Sequence, residues 1–377
     1  MRAKLGNALK VGLINLIVLV LLFAVLEGAA SILFIANEIR RTPAVPEHQH
    51  ADHDTLLGWV KRPNVHIPDM YGTGVSLRTN GQGFRNERDF PREVAPGKVR
   101  VVCSGDSFTL GFGVGDDQTW CQRLVALDPR LETVNMGQGG YGVDQAYLWY
   151  MRDGRQLDHH VQILAFLTDD FHRMRRDRFM GYGKPLLAVD GDTLVATNLP
   201  VPNTSAFARW RALHGETIAQ LNIVRVSRRL LRLDGRAPDT ARVTREDQRV
   251  RDVMSRIFES LRRTNDAKAS RLVLVYLPGT WDYKPDPDTD AWRRFVRAEA
   301  ERRQILYLDL VDAVRTVPST EIDALYAPNA HFSVAGNAWA ARALHQRLRP
   351  LFDSVAAGAP IAKGTLPPAS DSGAPSR

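Results

Sequence analysis

Five short apolar runs, at residues 99–103, 131–134, 163–167, 272–277 and 305–310, constrain this chain more than any other feature. Each is short, largely apolar and followed by turn residues, so each reads as a strand covered on both faces. Helical periodicity fills the intervals, for example at residues 119–127, 249–263 and 291–303. Strands alternating with helices predict an α/β domain, a three-layer sandwich around a parallel sheet of about five strands. Ligands of such sheets bind beyond the carboxyl ends of the strands, so functional residues are expected just after the apolar runs.

Two stretches do not fit that alternation. At the amino terminus, Arg2, Lys4 and Lys10 precede an apolar run at 11–26, and after Glu27 apolar sequence resumes over 28–36. A spanning helix needs about 20 apolar residues, so 11–36 predicts an uncleaved signal anchor with Glu27 near the outer interface or facing a partner. The basic first flank orients the rest of the chain out of the cytoplasm, against which Arg40 and Arg41 count on the other side. A cleaved signal peptide ending at Gly28-Ala29-Ala30 is the rival reading. The second stretch is the interval of about a hundred residues between the third and fourth strands, far more than a crossover needs. Within it, residues 186–195 predict a hairpin with a tight turn at Asp190-Gly191, and helical sequence follows through Leu231. It reads as an inserted cap spanning 171–245. The resulting plan is an anchor (1–37), a linker and glycine-rich preamble (38–97), the α/β domain (98–352) and a disordered tail (353–377) rich in Ala, Gly, Pro and Ser.

The formal charge of +8 invites a nucleic-acid partner. The excess, however, is scattered through predicted helices, as in Arg173-Met174-Arg175-Arg176, with no basic stripe and no nucleic-acid motif. Nucleic acid is therefore not expected; anionic lipid headgroups or acidic glycans suit the charge equally well. The two cysteines, Cys103 and Cys121, are neither a disulfide framework nor a metal set. They read by default as two buried thiols, with one disulfide open if the domain is exported. His48, His50 and His53 lie close together in the linker and read as solvated in preference to metal-binding.

Chemistry-bearing residues do follow the strands. After the first comes Ser104-Gly105-Asp106-Ser107-Phe108-Thr109, where a serine before a helix gains exposure and helix-terminal amides. The second leads into Asn135-Met136-Gly137-Gln138-Gly139-Gly140, whose glycines let backbone amides approach a small anion. The third leads into Thr168-Asp169-Asp170, and near the end Ala330-His331-Phe332-Ser333 precedes a final helix. Taken singly, these are a capped turn, a flexible turn, a helix cap and a structural histidine.

Together, in this order, the blocks resemble the SGNH/GDSL hydrolase family, with its flavodoxin-like fold. Leu57-Gly58-Trp59, Asn80-Gly81-Gln82-Gly83-Phe84-Arg85 and Gly111-Phe112-Gly113-Val114 resemble its membrane-anchored bacterial branch. The resemblance implies Ser107 as nucleophile, His331 as base, and an oxyanion hole from Ser107, Gly140 and the third-block position, here Asp169 in place of the family's asparagine. It also implies an acid before the histidine, where this chain has Asn329; Asp323 is a second candidate for orienting the ring. The Gly-x-Ser-x-Gly elbow of α/β-hydrolases is absent around Ser107. The implied activity is ester hydrolysis on an O-acyl group of an envelope glycan or lipid, with no metal or organic cofactor. The alternatives are a polysaccharide O-acetyltransferase and a non-catalytic glycan-binding domain.

Overall fold

The computed structural model describes residues 2–41, 47–205, 210 and 240–358. Its first helix, α1 (Arg2–Arg41), contains the stretch Lys10–Phe34, which is long and apolar enough to cross a membrane. The α/β body is a second unit, whose described residues begin at Glu47.

The predicted sheet is present. Its strands are β1 (Val99–Gly105), β2 (Leu131–Gly137), β3 (Val161–Phe166), β4 (Arg271–Tyr276) and β5 (Leu306–Asp309), in the order β5-β4-β3-β1-β2. Every pairing is parallel. Side chains alternate across the sheet, which divides the core in two. Val101, Cys103, Ile163 and Val275 face one apolar cluster, and Val102, Leu164, Phe166 and Leu274 face the other. Helices α3 (Trp120–Leu127) and α8 (Val334–Ala356) contribute Trp120, Leu124, Leu344 and Leu348 to the first. The second is covered by α4 (Val143–Arg152), α6 (Thr240–Ala267) and α7 (Pro287–Arg303), through Trp149, Tyr150, Met254, Phe258 and Trp292. Between strands and site lie α2 (Ser107–Leu110) and α5 (Thr168–Arg173), each starting within two residues of a strand end.

Four expectations are corrected. The stretch read as linker and loop is part of the core. An antiparallel ladder joins Ala51–Asp54 to Gly58–Lys61, while Trp59, Leu57, Phe84 and His50 are all buried. The three histidines are accordingly not a solvated cluster: His50 is fully buried, His48 Nε2 meets Met180 O at 3.2 Å and His53 Nε2 meets Val201 O at 2.8 Å. Cys103 and Cys121 form a disulfide, Cα to Cα 6.4 Å, in place of the default pair of thiols. At the other end, α8 continues past Phe352 to Ala356, because Leu351 and Phe352 are buried and Val355 packs against the same cluster.

The hairpin of the inserted segment is present with its turn one residue later: Asp190 pairs with Thr193, so Gly191-Asp192 make the bend. The insertion packs down through Leu187, Val201 and the buried ion pair of Lys184 with Asp144. The helical sequence expected through Leu231 lies outside the described residues, Trp210 excepted.

Candidate active site

The site forms where β1 runs out. Asp106 leaves the strand and accepts the Phe108 amide on Oδ1 at 2.9 Å, capping α2, so Ser107 becomes the first helical residue. Gly111, at φ 81°, closes this short helix by donating to Ser107 O. α2 crosses the end of β2 so closely that a Cβ on Gly137 would lie 1.9 Å from the Leu110 nitrogen, which is why β2 ends on glycine. Ser107 is 5% exposed.

His331 comes from the turn before α8. Its Nε2 lies 2.8 Å from Ser107 Oγ, and its Nδ1 lies 2.9 Å from the backbone oxygen of Asn329. A carbonyl only accepts, so Nδ1 carries the proton and Nε2 is the bare nitrogen that accepts from the Ser107 hydroxyl. Asn329 does orient the ring, but through its backbone; its Oδ1 instead accepts the His331 amide at 3.2 Å. Asp323 lies at the end of a short helix, its backbone oxygen accepting from Tyr326, and among the described residues it makes no bond to His331. The rings of Phe108 and Phe112 flank the imidazole, with centroids at 5.0 and 4.7 Å. Burial pushes the His331 pKa below its ordinary value; the Asn329 carbonyl and the Asp106 charge oppose that, and Arg173 adds to it.

Among the described residues, the backbone amides of Ser107 and Gly140 have no hydrogen-bond acceptor. Gly140 has φ +75°, and a Cβ there would meet Met180 Cε at 2.5 Å and the Phe179 ring at 2.9 Å. The loop carrying it is held from beneath by the preamble. Trp59 Nε1 donates to Gly139 O at 3.0 Å, the Lys61 amide to Gln138 Oε1 at 3.0 Å, and the Lys61 ammonium to Gly137 O. Tyr141 Oη donates to Trp59 O.

Asp169 stands elsewhere. It lies in the first turn of α5 with its carboxylate toward His172, 4.0 Å from Nδ1, and among the described residues no bond joins it to Ser107 or Gly140. Its neighbour Asp170 is buried and accepts from Arg173 at 2.5 Å. Burial and the nearby Asp106 charge push Asp170 well up, with Arg173 pulling the other way. Sequence reasoning passed over Asp106, Asp170 and Arg173 as site residues. The available signal was spacing: Arg173 falls three and four residues after two acids on a helix that starts at a strand end.

No family model matches the chain, and no curated relative matches it either. Similar solved structures include G-D-S-L lipolytic proteins and acetylxylan esterases. A member of the lipolytic protein G-D-S-L family from Veillonella parvula DSM 2008 is 13% identical, with 68% of this chain and 98% of that one covered and a TM-score of 0.37. TesA is 12% identical, over 67% and 99% of the two chains, at 0.39. Axe2, an acetylxylan esterase from Geobacillus stearothermophilus, is 16% identical, over 66% and 92%, at 0.37.

Proposed function

We propose that this chain is a serine ester hydrolase of the SGNH/GDSL type that works by Ser–His acyl transfer. The observation that carries the reading is the 2.8 Å contact between Ser107 Oγ and a His331 Nε2 left bare by its other nitrogen's bond to Asn329 O. A serine so placed loses its proton to the base as it attacks. Ser107 Oγ bonds to the ester carbonyl carbon, its proton moves to Nε2, and the carbonyl electron pair collects on oxygen against the Ser107 and Gly140 amides. Collapse breaks the ester C–O bond, and the departing alcohol takes the proton from His331. Water, or a sugar hydroxyl in the transferase alternative, then gives its proton to His331 and attacks the acyl carbon; the Ser107 Oγ–C bond breaks, the acyl product leaves, and Oγ takes the proton back from His331.

The substrate class is an O-acyl group on an envelope glycan or lipid. Two features support an extracytoplasmic, membrane-tethered domain: the apolar helix behind a basic flank, and the disulfide, which persists in oxidising compartments. Labelling with a fluorophosphonate probe tests the reading. The wild-type chain should label and Ser107→Ala should not, with esterase activity falling by at least about 10³-fold. A wild-type chain that neither labels nor turns over aryl esters leaves the glycan-binding alternative instead.

A further inference from the structure

The Ser107 hydroxyl has one proton and two acceptors within reach. His331 Nε2 is at 2.8 Å and Asp106 Oδ2 at 3.2 Å. Asp106 is 1% exposed, and hydrogen bonds to a carboxylate are the stronger kind. An uncompensated Asp106 would hold the hydroxyl away from the base. It would also repel the negative charge that gathers on the acyl oxygen during attack. A guanidinium stands against that same carboxylate oxygen: Arg173 Nη1 donates to Asp106 Oδ2 at 3.1 Å. The same nitrogen donates to Tyr141 O at 3.0 Å and to Asp170 Oδ1 at 2.5 Å, and the guanidinium lies 5.3 Å from the centre of the Phe179 ring. Arg173 is thus fixed by the nucleophile turn, the glycine loop, its own helix and the insertion at once.

We propose that Arg173 is a positioning residue that offsets the Asp106 charge, so that the Ser107 proton passes to His331 and does not rest on the carboxylate. This rests on the Ser107–His331 reading and extends it to a residue that bonds, among the described residues, to neither Ser107 nor His331. The charges acting on His331 are consistent with it. Beneath the larger effects of burial and of the Asn329 carbonyl, Asp106 raises the ring's pKa and Arg173 lowers it, while the flanking rings of Phe108 and Phe112 are uncharged. Asp170, on the far side of Arg173, is pushed up by burial and by Asp106. His331 must be neutral to accept a proton, so the acid limb of kcat/KM reports its pKa.

The test uses the full-length chain in detergent, p-nitrophenyl acetate across pH, and NMR titration of the His331 ring. Arg173→Met should lower kcat roughly 10–100-fold with KM little changed, and move the acid limb to higher pH because Asp106 is then unopposed. Arg173→Lys, which keeps the charge, should lose less. The double variant Asp106→Asn/Arg173→Met should recover most of the loss, since an amide still caps the Phe108 nitrogen but carries no charge. Asp106→Asn alone leaves the buried arginine in place and should move the acid limb to lower pH. Additive losses in the double variant, or limbs and ring titrations that stay put in Asp106→Asn, would overturn the proposal. Fluorophosphonate labelling keeps the two claims apart. A chain whose Ser107 labels while the limbs stay fixed loses only the role of Arg173; a chain that never labels loses the serine-hydrolase reading and this proposal with it.

Discussion

The proposed nucleophile and the proposed base are held by different kinds of structure. Ser107 follows the interior strand β1 and Gly140 the edge strand β2, and their loops are fixed by residues far away in sequence, chiefly Trp59, Lys61 and Arg173. His331 sits in a turn closed on itself. Ala330 donates to Ala327 O at 2.9 Å, Ala327 to His331 O at 2.8 Å, and Ala330 takes a left-handed φ of 63°. Long-range support reaches that turn through side chains, the Phe108 and Phe112 rings on His331, Phe332 against Phe108 and Tyr326 Oη on Gly279 O. Amides that must meet developing charge gain from being fixed before the reaction, because reorganising them during it costs rate. The proposed base needs its ring plane and tautomer set: the Asn329 carbonyl fixes the tautomer, and the Phe108 and Phe112 rings hold the plane.

This contrast can be broken by four substitutions, given from the largest expected effect down. Gly140→Ala forces a side chain into Met180 and Phe179 at a left-handed φ, and should lower kcat about 10²–10³-fold, as loss of an oxyanion donor does. Trp59→Phe leaves Gly139 O unpaired in the core; a loop displaced by that loss should lower kcat about 10-fold, together with a stability loss of about 1–3 kcal/mol in urea melts. On the base side, Asn329→Ala removes a side-chain bond but not the carbonyl that orients the ring. It should cost only about 3-fold in kcat, with the acid limb unmoved. A loss of a hundredfold would mean that the side chain, not the backbone, sets the imidazole. Asp169→Asn should change kcat by less than about twofold at any pH, because its carboxylate faces His172 across a partly exposed 4.0 Å gap. A rise in turnover that grows with pH would instead put that carboxylate at the oxyanion.

The sheet was legible because strands buried on both faces leave continuous apolar runs, and all five runs became strands with ends displaced by a few residues. Ser107 and His331 were legible by position, one after a strand and one before the last helix. The preamble was not, since ladders of two to four residues are too short to show a period, and the burial of Trp59 and His50 comes from contacts made across the fold. Nor was Arg173: in a chain with 50 basic residues, spacing alone does not say which arginine turns inward. The cysteine pairing depends on a 6.4 Å approach between strand and helix that a separation of 18 residues does not specify.

That bridge encloses the whole nucleophile turn. Cys103 lies in β1, four residues before Ser107, and Cys121 in α3, so oxidation closes a covalent ring around Asp106, Ser107 and the short helix behind them. A ring of this size limits the unfolded chain by about 3 kcal/mol. The ring is open while the thiols are reduced. Reduction therefore removes that contribution to stability from the segment that carries Ser107. Phe108 and Phe112 lie inside the same ring, so the covalent loop that carries Ser107 also carries the two aromatic rings that hold His331.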